Sequence, residues 1–182
     1  MSLSDAEILS RFKEKDGQSY AFNLLVRKYQ QKVYAVVRRL VIDHDDANDI
    51  VQNAWVKVWQ HLADFKAESQ LYTWIYRIAA NEALTFLNKK KKRFFLPIVD
   101  VEAELSEKLE QDPAISGDEI EKKLQKAILS LPEKQRLVFQ MRYYDEMPYE
   151  QMSQVLGTSV GALKASYHHA AKKIEAFLTA DH

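Results

Sequence analysis

The 182-residue chain contains no cysteine. That excludes disulfides and thiolate metal sites, and it fits a reducing compartment. No apolar run approaches the roughly 20 residues needed to span a bilayer. The first residues, MSLSDAEILSRFKEKDG, lack the apolar core of a signal peptide, so a soluble cytoplasmic protein is expected. Glycine and proline number only 4 each, and strand runs bounded by turn signals are scarce. His44, His61, His168, His169 and His182 show no metal-ligand spacing, and the chain has neither a glycine-rich phosphate loop nor a nucleophile motif. No cofactor is expected, and an enzyme is the least expected class. Net charge is also missing, since 26 basic residues balance 26 acidic ones. The balance conceals segregation. Residues 1–95 carry 16 basic and 11 acidic side chains, residues 96–130 carry 4 and 9, and residues 131–182 carry 6 and 6. Local potentials therefore matter more than the sum.

What is present is helical periodicity. The expected fold is all-α: two small helical domains, 1–95 and 119–182, joined by an acidic linker over 96–118. Ser4-Asp5-Ala6-Glu7 offers a capped start to a first helix. Apolar residues recur from Phe22 through Leu25, Tyr29, Val33 and Val36 to Leu40, one continuous amphipathic stripe. Asp43–Asp46 breaks it and caps a helix over 47–61. A further helix runs from Leu71 to Lys89. From Pro97 to Ser116 the composition turns acidic, with Pro97, Pro113 and Gly117 as breakers. This segment reads as a linker with one loose helical turn. Periodicity returns at Ile120, Leu124, Ile128 and Leu131.

The C-terminal end reads as a helix-turn-helix. Pro148 suits the first turn of a helix that ends at Leu156. Gly157 can take the left-handed conformation that stops it, and Thr158 or Ser159 caps a second helix starting at Val160. Between Val160 and Ile174 there is no acidic residue, while Lys164, His168 and Lys172 share a face at four-residue spacing. Small residues at Gly161, Ala162 and Ala165 permit close approach to a groove. Duplex DNA is the expected ligand, although a plain helical hairpin has the same glycine spacing.

Two further surfaces lie in the N-terminal half. Phe65, Tyr72, Trp74 and Tyr76 accompany Lys66, Arg77 and Asn81, and Trp74, Arg77 and Asn81 follow i, i+3, i+7 spacing. Aromatic platforms hold unpaired bases at about 1–3 kcal/mol each while cations track the backbone. The same aromatics would also serve as core, as Ile75 and Ile78 do. The basic run Lys89–Arg93 follows directly and suits phosphate contacts. Upstream, Ile50, Val51, Ala54, Trp55, Val58 and Trp59 are expected on a buried side, with Asp46, Asp49, Gln52, Asn53 and Lys57 facing away. That acidic-amide face suits a protein partner. A helix-turn-helix repressor or activator working without polymerase, or an adaptor that binds protein only, remains an alternative on these residues.

DANDIVQNAWVKVWQHLADFKAESQLYTWIYRIAANEALTFL resembles the N-terminal domain of extracytoplasmic-function RNA polymerase sigma factors of the sigma-70 family. LPEKQRLVFQMRYYDEMPYEQMSQVLGTSVGALKASYHHAAKKI resembles their C-terminal promoter-reading domain. The resemblance implies promoter-directed initiation, with core RNA polymerase (its β′ clamp helices and β flap), promoter DNA and an anti-sigma factor as partners. It implies polymerase docking by Asp46, Asp49, Gln52 and Asn53. Capture of flipped −10 bases falls to Phe65, Lys66, Tyr72, Trp74, Arg77 and Asn81, with Lys89 and Lys90 beside them. Reading of the −35 element falls to Ser159, Gly161, Lys164, Ser166, His168, His169 and Lys172. Two departures stand out. Asn53 occupies a place where the family often has Glu. The reading helix has Lys164 and two His where several Arg are usual, with Ser166 at an often basic place, and Arg is the usual bidentate reader of guanine.

Overall fold

A computed structural model describes residues 3–93, 98–113 and 118–180. The chain forms two compact units. One comprises Met1–Leu40 and His44–Phe86, the other Val41–Asp43 and Leu87–His182. The described residues form helices and connecting turns, without strands.

The first unit begins with α1 (Asp5–Phe12). The Ser4 hydroxyl accepts a bond from the Glu7 amide, and the Glu7 carboxylate accepts from the Ser4 amide, so the expected capping box forms. Gly17 closes the following turn. A Cβ there would sit 2.2 Å from the Arg11 carbonyl oxygen, so only glycine fits without displacement. Helix α2 (Gln18–Val41) buries the predicted stripe, with Leu25, Val33, Val36, Val37 and Leu40 almost wholly covered. Its stop differs from expectation. Ile42 adopts φ 64° just after the helix, the place usually given to glycine. The polar break therefore follows the turn rather than making it.

Helix α3 (His44–His61) lays Ala47, Ile50, Ala54, Trp55 and Val58 into the core. A 3-10 turn at Leu62–Asp64 leads through a short loop to α4 (Leu71–Arg93). Ala79, Ala80 and Ala83 let α4 pack closely against its neighbours. The boundary between the units falls within α4, between Phe86 and Leu87.

The second unit contains the main departure from the sequence reading. The acidic segment holds a 13-residue helix, α5 (Ile98–Glu110), where one loose turn was expected. Leu105 and Leu109, one turn apart, bury against Leu129 and Ile42. The acids flanking them find cations. Glu104 pairs with Lys90 at 2.6 Å, Glu110 with Lys126 at 2.6 Å, and Lys108 with Asp43 at 3.1 Å. Composition registered the charge and hid the i, i+4 leucine pair. The expected breakers Pro97 and Gly117 lie outside the described residues.

Helix α6 (Glu119–Leu129) is capped by Asp118 and precedes α7 (Glu133–Tyr143), α8 (Tyr149–Leu156) and α9 (Val160–Thr179). Ala127, Ile128, Leu131, Phe139, Ala170 and Ile174 form their core. Phe139 stacks between Tyr143 and Tyr167, at 5.1 and 5.7 Å between ring centres. These contacts clamp α9 across α6 and α7, leaving its other side outward.

Candidate functional site

The turn between α8 and α9 is built as expected. Gly157 takes φ 64°, ψ 26°, and its amide donates to the Ser153 carbonyl at 2.8 Å. Ser159, rather than Thr158, is the cap, its hydroxyl accepting from the Ala162 amide at 3.3 Å. Val155 and Leu163 are buried in the corner. Ser159, Gly161, Lys164, His168, His169 and Lys172 are all exposed, and Ser166 is half-buried. The expected basic face therefore exists as one surface. Sequence reasoning missed Tyr149. Its ring lies 5.1 Å from the Arg142 guanidinium carbon and 5.8 Å from the Lys164 ammonium. Two cations are thus gathered around one aromatic beside α9, each such contact worth about 0.5–1 kcal/mol when exposed. Lys164 on α9 and Arg142 on α7 are far apart in sequence, so no local pattern signalled the meeting.

The aromatic-basic segment divides between surface and interior. Lys66, Arg77 and Asn81 are exposed, whereas Phe65, Tyr72 and Trp74 are half-buried. Tyr76 is 1% exposed and belongs to the core. Trp74 is not a free platform, because its ring leans on Phe65 at 5.3 Å and 51°. The two rings form a partly covered wall, with Arg77 and Asn81 continuing outward along the helix. Ala67, at φ 56°, bends the loop between Phe65 and Leu71. Of the basic run, Lys89 and Lys92 are exposed. Lys90 pairs with Glu104 and Lys91 with Glu133, at 2.6 and 2.5 Å.

On α3, Asp49, Gln52 and Asn53 are exposed and Asp46 is half-buried. Lys57 pairs with Glu82 of α4. Trp59 departs from its expected burial. It keeps 39% of its surface exposed while meeting Phe12 and Phe22 edge-on. Val56, 53% exposed, was not expected on the outer face, yet it follows Asp49 and Gln52 at i+7 and i+4. The surface is therefore acidic and amide-bearing with an apolar member. At the start of α3, His44 Nδ1 lies 2.6 Å from the Tyr34 hydroxyl oxygen, and His44 Nε2 lies 3.0 Å from the Asn48 amide nitrogen. This network fixes the entry to the helix.

No group of His, Asp or Glu among the described residues could hold a metal ion. No helix among them is long and apolar enough to cross a membrane.

Residues 25–93 match the model of Sigma-70 region 2, and residues 121–174 match that of Sigma-70, region 4. The chain is 33% identical over 181 residues to the RNA polymerase sigma-H factor of Pseudomonas aeruginosa, covering 94% of this chain and 92% of that protein. It is 32% identical over 183 residues to the ECF RNA polymerase sigma-E factor of Escherichia coli K12, with 95% and 93% covered. Its fold resembles that of the sigma factor RpoE in complex with the anti-sigma factor NepR from Bartonella quintana. There the TM-score is 0.69 at 21% identity, over 88% of this chain and 98% of that one. It also resembles CnrH in complex with the cytosolic domain of CnrY, with a TM-score of 0.67 at 24% identity over 97% and 96%. The two matched regions stand in the expected order and include the helices that carry the exposed basic residues of each unit, and the chain belongs to the extracytoplasmic-function group of sigma-70 RNA polymerase sigma factors.

Proposed function

We propose that this sigma factor divides promoter recognition between its two halves and docks on polymerase through a third surface. Residues 1–95 bind core enzyme and capture the −10 element, residues 119–182 read the −35 element, and 96–118 join them. Asp46, Asp49, Gln52 and Asn53, with Val56 among them, meet the β′ clamp helices. The C-terminal region meets the β flap. Lys66, Arg77 and Asn81 line the path of the opened strand beside the Phe65–Trp74 wall, with Tyr72 at its edge. Stacking favours unpaired bases, and Asn81 carries both a donor and an acceptor for a base edge. Of the basic run, Lys89 is the phosphate contact, and Lys90 joins only by leaving Glu104.

Gly161 and Lys164 face the base edges in the −35 groove, and His168, His169 and Lys172 follow toward the phosphates. The protein acts by binding rather than by catalysis, in the cytoplasm where polymerase and promoter DNA meet. Of the two solved proteins of like fold, the sigma factor RpoE is in complex with the anti-sigma factor NepR, and CnrH with the cytosolic domain of CnrY. On that analogy an anti-sigma factor controls this one.

The observation that carries this reading is the outward face of α9, free of acids from Val160 to Ile174, behind a capped helix-turn-helix, in one chain with the exposed Arg77 and Asn81 of α4. The test is run-off transcription with core polymerase on a promoter library, beside gel filtration of chain and core. Stoichiometric co-elution and initiation at a defined sequence class are expected. A tight, specific promoter complex formed without polymerase would instead indicate a free-standing repressor or activator.

A further inference from the structure

Tyr72 is tied into a line of contacts that starts on α1, nearly seventy residues earlier in the chain. Ser4 caps α1 and leaves Asp5 at its first position. The Tyr29 hydroxyl lies 2.8 Å from each oxygen of the Asp5 carboxylate. The Lys28 ammonium donates to the same carboxylate at 2.8 Å and to the Leu3 carbonyl at 3.0 Å. Tyr29 is 7% exposed, and its ring stacks on Tyr72 at 5.2 Å and 20°. Tyr72 then meets the core residue Tyr76 edge-on, at 6.1 Å and 85°. The exposed Lys32 brings its ammonium to 5.4 Å from the Tyr72 ring centre.

Each contact restricts the next. A buried phenol must satisfy its hydroxyl, and Asp5 does so. Burial and that bond, in this order, push the Tyr29 phenol well above its ordinary pKa, so it remains a donor. The anchored ring then gives Tyr72 a fixed surface to lie on. A side chain held before binding loses less rotamer entropy on capture. Lys32 adds a cation where a polyanionic strand would pass.

We propose that Asp5 and Tyr29 are positioning residues for base capture, holding Tyr72 in the orientation that receives the opened −10 strand. The inference rests on the assignment of Tyr72 to the −10 surface.

The test uses holoenzyme assembled from core polymerase and the full chain. The probe is the non-template −10 strand of a promoter selected by run-off transcription, with each position substituted in turn. Tyr29→Phe keeps the ring and removes the bond to Asp5, and Asp5→Asn removes the anchoring charge. Both are expected to weaken strand capture roughly 3–10-fold and to flatten base preference at one position, with polymerase assembly unchanged. Tyr29→Phe added to Tyr72→Ala should do no further harm. A merely structural role would lower the melting temperature and leave base preference as it was. The proposal is overturned if Tyr72→Ala impairs capture while Tyr29→Phe and Asp5→Asn keep the parent preference, or if the effects of the two tyrosine changes add. Normal capture by Tyr72→Ala would remove Tyr72 from the −10 surface and overturn the inference with it. Initiation by that same holoenzyme would show that the wider promoter reading stands.

Discussion

Alanine at Gly157 and at Gly161 should move stability in opposite directions, four residues apart. Gly157 sits at φ 64°, and a Cβ there would meet nothing within 4 Å. The cost is therefore purely one of backbone conformation, since an L-residue in the left-handed region loses roughly 1–2 kcal/mol. Gly161 lies in the first turn of α9 with equally open space around it. Its φ is helical, so alanine gains about 0.5–1 kcal/mol by removing glycine's excess freedom. In a unit of this size each kcal/mol moves the melting temperature by roughly 4–8 °C. Thermal unfolding by circular dichroism, with hydrogen exchange of the α8 and α9 amides to localise the change, measures both. Gly157→Ala should melt earlier by at least about 4 °C, and Gly161→Ala should melt later. The second variant carries a functional cost. Gly161 is exposed on the face proposed to read the −35 element, where a methyl group would keep the helix from closing on the groove. A loss of about 1 kcal/mol, roughly fivefold in −35 affinity, is expected of its holoenzyme. A Gly157→Ala protein as stable as the parent would refute the backbone argument. A Gly161→Ala holoenzyme with parental −35 affinity would remove that residue from the groove.

Asp49→Lys and Gln52→Ala should weaken polymerase binding by about tenfold or more with unchanged circular dichroism, because both side chains are exposed. Normal binding by both would exclude α3 as the docking helix. Asn81→Ala should lose base preference on a pre-melted promoter bubble, where a defect in strand opening alone would be rescued. Gly17→Ala should destabilise the N-terminal unit by about 1–3 kcal/mol, since its Cβ meets a backbone oxygen that has no room to yield, as chemical denaturation would show. The hydrogen bond from Lys90 holds Glu104 below its ordinary carboxylate pKa. The unfolded chain therefore binds more protons than the folded one through the carboxylate range. The stabilisation is complete above the unfolded pKa of about 4.3 and is lost as pH falls through the folded value. The melting-temperature gap between parent and Glu104→Gln should shrink from pH 7 to pH 3, and a constant gap would show that Glu104 is not ion-paired in solution.

Features decided within one or two helical turns were legible in the sequence. The α2 stripe, the Ser4–Glu7 capping box, the left-handed stop at Gly157 and the Ser159 cap all depend on neighbours no more than a few residues away. The four-residue spacing of Lys164, His168 and Lys172 was enough to place them on one face. The resemblance to sigma factors rested on such local patterns, in the right order. Which side of an amphipathic element is covered, and by what, was decided only by the tertiary structure. Trp59 looked buried by periodicity, yet it meets Phe12 and Phe22 edge-on and stays part-exposed. Trp74 and Tyr72 read equally as platforms or as core, and each is half-buried with a ring from elsewhere against it, Phe65 and Tyr29. The acidic segment looked like a tether because its charge dominates its composition. Leu129, Lys90 and Lys126 supply the apolar surface and the cations that make it a helix. A helix of that length is marginal alone and gains its stability from packing, so its existence depends on residues that its own sequence does not contain.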